Sequence, residues 1–173
     1  MNFNLDNAIN MLERTPRVLL TMLDGLPNEW IMSNDGQDTW SPYDVVGHLL
    51  HGERTDWIER IRRILDHGES KPFEPFDRFA QFTESKGKSL DDLLTTYEQL
   101  RAENLATLRA MHLTEADFDR TGIHPAFGVV TLRQLLSTYV THDLTHIVQI
   151  ARTMAKQYKT EIGPWANYIS FMV

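Results

Sequence analysis

The chain of 173 residues carries 17 Lys and Arg against 24 Asp and Glu, a formal net charge of -7. That balance leaves no basic footprint for a phosphate backbone and excludes nucleic acid as a partner. It contains no Cys, which removes disulfides, thiolate metal ligands and a thiol nucleophile of its own.

The length suits one domain, taken as residues 1–173, with a core large enough to need no staples. No apolar run reaches the roughly 18 residues of a membrane span, and the first basic residue is Arg14. Neither a signal peptide nor a membrane partner is expected, and a cytoplasmic location is. Along residues 5 to 23, Leu5, Ile9, Leu12, Leu19 and Leu23 keep helical spacing. Thr15 and Pro16 inside that stretch predict a kink or restart. A second helix opens at Trp40-Ser41-Pro42-Tyr43-Asp44, with Ser41 as N-cap, Pro42 in the first turn and Asp44 at the positive end. It is expected to run to Asp66.

Residues 67 to 88 lack periodicity and read as a long connection with at most one short helical turn. Ser89, supported by Asp91 and Asp92, caps a third helix that ends near His112. After a turn at residues 121 to 125, Thr131 and Gln134 form a capping box for a fourth helix reaching Gln157. Gly128-Val129-Val130 is the one strand-like stretch, and the aromatic tail 162 to 168 is expected to dock on the domain. Four amphipathic helices must bury their apolar stripes against one another, so the expected fold is an all-α four-helix bundle.

The chemistry concentrates in histidine. His142 and His146, one turn apart on the fourth helix, share the face of Leu135, Tyr139, Asp143 and Ile150. Side chains at that spacing are about 5 to 6 Å apart, close enough for both rings to reach one metal ion. On the second helix His48 shares a stripe with Gly52, Thr55 and Asp56, which reads as the wall of a polar cavity. Three neutral imidazoles match the donor set of an open metal site. Spacing alone leaves a second reading open, in which these are satisfied core histidines. His51 and Glu53 point away from His48 and are expected to be solvated or to support it indirectly. Asp143, an acid on an apolar face, needs a partner: a ligating ring, or Arg101. His124 is expected to anchor a loop, and His67 and His112 to sit at helix C-termini. A second apolar stripe, Val140, Leu144, Val148, Ala151 and Ala155, is wider than one bundle seam needs and predicts a homodimer unless the helix is central.

Two signatures carry a family resemblance. The first is Trp40-Ser41-Pro42 with Val45-Val46-Gly47-His48-Leu49, Glu53 and Asp56-Trp57. The second is His142-Asp143 with His146, Gln149-Ile150, Arg152, Tyr158 and Gly163-Pro164-Trp165. On these, over roughly residues 4 to 170, the chain resembles the DinB/YfiT-like superfamily of metal-dependent enzymes. The resemblance implies up-down-down-up connectivity, a frequent dimer, and His48, His142 and His146 as ligands of one divalent ion, zinc or nickel. Characterised relatives include enzymes that use bacillithiol, mycothiol or glutathione. The expected function is therefore a metal-dependent thiol S-transferase that adds a low-molecular-weight thiol cosubstrate to a small-molecule electrophile. A noncatalytic metal- or ligand-binding bundle is the alternative, and a purely structural bundle the third reading. The sequence names no general base.

Overall fold

Local signals fix the helix starts. In a computed structural model of the chain, which describes residues 2–170 and Met172, Ser41, Ser89 and Thr131 each accept from the third backbone N–H of the following helix. Asp44, Asp92 and Gln134 return a bond to the cap backbone. Met1, Phe171 and Val173, inside the expected 1–173 domain, lie outside the described residues.

The helices are α1 (Leu5–Leu12), α2 (Thr15–Leu23), α3 (Asn28–Met32), α4 (Pro42–Thr55), α5 (Trp57–His67), α6 (Gln81–Glu84), α7 (Leu90–Ala110) and α8 (Leu132–Lys156). The restart at Thr15 and Pro16 occurs, with Arg14 in the cap position. The second helix does not run unbroken to Asp66. It breaks at Asp56, whose backbone sits at φ -114 and ψ -66, and resumes as α5. Gly52 gives the indole of Trp57 room to fold back, since a Cβ there would lie 3.3 Å from its Nε1.

Thr121–His124 (β1) and Gly128–Thr131 (β2) pair as an antiparallel hairpin, with Thr121 opposite Thr131. The expected turn at 121 to 125 is thus largely a strand. Four-residue strands are too short to leave an alternation that stands out in the sequence. The tail also departs from expectation: Trp165 and Tyr168 are 69% and 89% exposed, so these rings do not dock.

Four rods make the bundle: α1 with α2, α4 with α5, α7, and α8. Tyr43 donates its hydroxyl to the carbonyls of Ser85 and Lys88, just before α7, while Glu53 meets Arg101 and Asn104 in its middle. The second and third rods therefore run parallel, as the long connection between them permits. Leu12 and Glu13 lie beside Arg101 and Arg109, and Leu19 and Leu23 pack with Leu90 to Tyr97, so the first rod is antiparallel to α7. Pairing of His48 with His142 and of Glu53 with Tyr139 sets α8 antiparallel to α4. The order is up-down-down-up.

Two apolar clusters fill this frame. One joins Ile9, Leu12, Ile61, Ile64, Leu105, Leu108, Leu132 and Leu136; the other joins Leu19, Leu23, Val45, Leu49, Leu93, Tyr97 and Ile150. Each buried Leu or Ile contributes about 1.5–3 kcal/mol. Between the clusters, along α4, α7 and α8, lies a polar layer built from His48, Glu53, Arg101, His142, Asp143 and His146. The connection after α5 returns over this layer because α6 sits directly on Gly47. A Cβ there would lie 2.4 Å from Ser85 Oγ and 3.1 Å from Gln81 Cβ.

Candidate metal centre

Helix geometry delivers the three histidines to one point. His142 and His146 project from successive turns of α8, and His48 faces them from the antiparallel α4. The His48 and His142 Nε2 atoms are 3.2 Å apart, those of His146 and His142 3.1 Å, and all three residues offer ligand atoms within 4.8 Å of one another. Ligand nitrogens at about 2.0–2.1 Å from a tetrahedral ion stand about 3.3 Å apart, so these separations suit one shared cation.

The hydrogen-bond inventory points the same way. His146 Nδ1 faces Gln149 Oε1 at 2.8 Å, which places its proton on Nδ1 and turns the Nε2 lone pair into the cluster. His48 Nδ1 and His142 Nδ1 are buried without a partner among the described residues. Whichever nitrogen carries the proton, three neutral rings cannot satisfy one another here. A cation that accepts three lone pairs can use them all.

Burial keeps the rings uncharged. Removal from water, with the neighbouring His146 adding to it, lowers His48 to about 4 against the opposing backbone of Arg78. Burial, His146 and His48 lower His142 to about 3. His146 is also lowered by burial, against Gln149 and Asp143. All three are therefore neutral at physiological pH, the state in which imidazole ligates.

Aromatic side chains frame the site. The Trp40 ring lies 4.7 Å from His48 and stacks at 9° over His146, 6.2 Å away. Trp57 meets His142 edge-on at 5.2 Å and stacks on Tyr139. The histidines form the floor of a cleft of about 1260 Å³ walled by Trp40, Phe73, Phe76, Phe79, Phe82 and Phe127. The cavity expected beside His48 exists, but its wall is chiefly aromatic rather than polar.

Behind the floor lies a buried charge network. Arg101 donates to Asp143 at 2.6 and 3.1 Å and to Glu53 at 2.8 Å. Tyr139 donates to both Glu53 oxygens, at 2.8 and 2.7 Å, and Asn104 adds a bond at 2.9 Å. Burial pushes the Tyr97 and Tyr139 phenols well above the usual tyrosine range, so both stay protonated. Asp143 thus takes Arg101 as its partner and not a histidine ring. Glu53 and His51 are buried rather than solvated, and His51 pairs with Glu84 of α6 at 3.1 Å. His124 anchors its turn by accepting from the Ala126 N–H and also lines the cleft. His67 ends α5, and His112 follows α7 at φ 47.

Sequence reasoning missed the role of the long connection, whose Phe73, Phe76, Phe79 and Phe82 recur at every third position and line the cleft. That regular spacing was its visible signal. Asp56, expected on the cavity wall with His48, does line the cleft, and what the sequence did not show is its ion pair with Arg60 at 2.6 Å. Burial raises this carboxyl to about 6 in spite of the guanidinium.

The sequence profile of the DinB superfamily matches residues 11–150. A protein of Oceanobacillus iheyensis named "Putative metal-dependent hydrolase" is 24% identical over 151 residues, 86% of this chain and 85% of that protein. One of the same name from Bacillus licheniformis is 27% identical over 149 residues, 84% and 82% of the two chains. Among solved structures, YfiT from Bacillus subtilis, described as "a probable metal-dependent hydrolase with an unusual four-helix bundle topology", superposes with a TM-score of 0.75. The sequence identity is 25%, over 88% of this chain and 86% of that one.

Proposed function

Because the chain belongs to the DinB superfamily, we propose that it is a divalent-metal-dependent enzyme whose His48, His142 and His146 hold one ion, zinc or nickel, at the floor of an aromatic cleft. The observation that carries this is the convergence of three neutral, incompletely satisfied imidazoles on one point open to that cleft. When bound, the ion supplies Lewis acidity that brings the pKa of a coordinated thiol or water into the neutral range.

The chain's own residues do the rest. Gln149 holds His146 in the ligating tautomer. Trp40, Trp57 and Phe76 pack around the imidazoles and limit the approach of bulk water. Three protein donors leave the remaining positions for a substrate.

Thiol transfer is the reading the donor set supports best. A free thiol starts near pKa 8.5 and water near 15.7, so a thiol ionises with far less assistance. Among the described residues no carboxylate joins the histidine group, and Asp56 in the cleft is tied to Arg60. The histidine group thus carries no carboxylate base of its own, and in a chain without Cys a thiol nucleophile would be a borrowed one. Hydrolysis is the second reading, supported by the names of the relatives. The test is a rate assay on metal-loaded protein with glutathione, bacillithiol or mycothiol and monochlorobimane, in which the thiolate displaces chloride. A metal-dependent rate lost in His146→Ala, with the circular dichroism retained, is expected. A rate only with ester substrates favours hydrolysis, and none with either leaves a noncatalytic binding bundle.

The proposal includes a cytoplasmic location, where small thiols are kept reduced, and a homodimer joined along α8. There Leu144 and Val148 stand 42% and 57% exposed. Light scattering should give twice the 20.1 kDa chain mass; a monomeric particle at micromolar concentration refutes the dimer.

A further inference from the structure

Arg78 stands at the cleft without a carboxylate partner among the described residues, whereas the other arginine of the cleft, Arg60, is paired with Asp56 at 2.6 Å. Its guanidinium carbon lies 5.3 Å from the Phe79 ring centre and 6.0 Å from that of Trp40. Trp40 in turn stacks on His146 and lies against His48. One indole ring therefore separates this free cation from two of the three histidines. Phe79 and Phe82 stack on each other at 6.3 Å, and both meet Trp40 edge-on.

We propose that Arg78 anchors the carboxylate of the substrate at the cleft mouth, so that the enzyme takes a flat, apolar or aromatic carboxylic acid whose body lies along Trp40, Phe79 and Phe82 toward the histidines. Three considerations lead there. The wall is apolar and ring-lined, which selects a body of the same kind. The chain as a whole is acidic, at -7, so an anionic ligand enters only where a local cation offsets the surrounding field. A guanidinium fork meets a carboxylate with two parallel bonds, and cation contacts with Phe79 and Trp40 pre-orient it. Asp38, without a partner among the described residues, also lines the cleft and repels an anion, so the paired bonds from Arg78 must outweigh it.

The inference deepens the proposed function and rests on it for which end of the cleft reacts, yet its test does not require the metal. Calorimetric titration of 2-naphthoate and its neutral analogue 2-naphthamide is carried out on wild-type protein and Arg78→Gln, each both chelated and metal-loaded. In chelated wild type, the carboxylate should bind at least about tenfold more tightly than the amide. Arg78→Gln should remove most of that preference, weakening the carboxylate much more than the amide. The inference is overturned if neither probe binds chelated wild type, if the carboxylate gains nothing there, or if Arg78→Gln retains the preference. A preference seen only after metal loading also overturns it, because the acid is then held by the ion. Failure of the metal reading would show separately, as absence of metal binding, with the chelated arm unaffected.

Discussion

Replacing Arg101 with alanine should lower the free energy of unfolding by about 3–5 kcal/mol, a large part of the 5–15 kcal/mol typical of a domain. The guanidinium is almost fully buried and is the cation that faces Asp143 and Glu53, both themselves buried. Without it, two carboxylates remain inside the bundle with Tyr139 and Asn104 as remaining donors to Glu53, and Asp143 loses both bonds from the guanidinium. Each acid must then become protonated or draw water into the core. The cost comes from stranding charges rather than from losing the attraction of a pair. A variant that also replaces Glu53 and Asp143 with apolar residues of similar volume should therefore recover much of the loss. Urea unfolding followed by circular dichroism measures both. A loss below about 1 kcal/mol for the single variant would mean that the network is solvated.

His142→Ala should behave in the opposite way, sparing the fold and removing the metal. The ring is neutral, its Nδ1 has no partner among the described residues, and it bridges the other two imidazoles at 3.1 and 3.2 Å. Removing it leaves two donors on different helices. Loss of a mere supporting partner costs about 10–100-fold in affinity, so loss of the central ligand should exceed hundredfold. Titration with zinc or nickel at neutral pH reads this directly. His112→Ala, beyond the end of α7, is the control that should bind as wild type does.

Much of this was legible in the residues because it is local. Ser41 with Asp44, Ser89 with Asp92 and Thr131 with Gln134 are capping pairs set by a three-residue spacing, and the bundle follows from the stripes they introduce. His142 and His146 fall on one face by helical period alone. His48 joins them only through the pairing of α4 with α8, which helical period cannot supply and the family signatures did. The unread parts depend on long-range packing. The break at Asp56 follows from the Trp57 indole folding over Gly52, and the burial of Glu53 from Arg101, 48 residues away. Phe73, Phe76, Phe79 and Phe82 of the aromatic wall sit on a connection whose three-residue spacing matches neither helix nor strand, so their position over the histidines emerges only when α6 docks on Gly47.

The metal content of tag-free protein, measured by inductively coupled plasma mass spectrometry after exhaustive dialysis, decides whether the three histidines hold an ion. Wild-type protein should carry one divalent ion per chain, lost in His48→Ala, His142→Ala and His146→Ala alike. Wild-type protein that retains no ion, even after loading with zinc or nickel, or a stoichiometry that survives all three substitutions, would contradict that assignment.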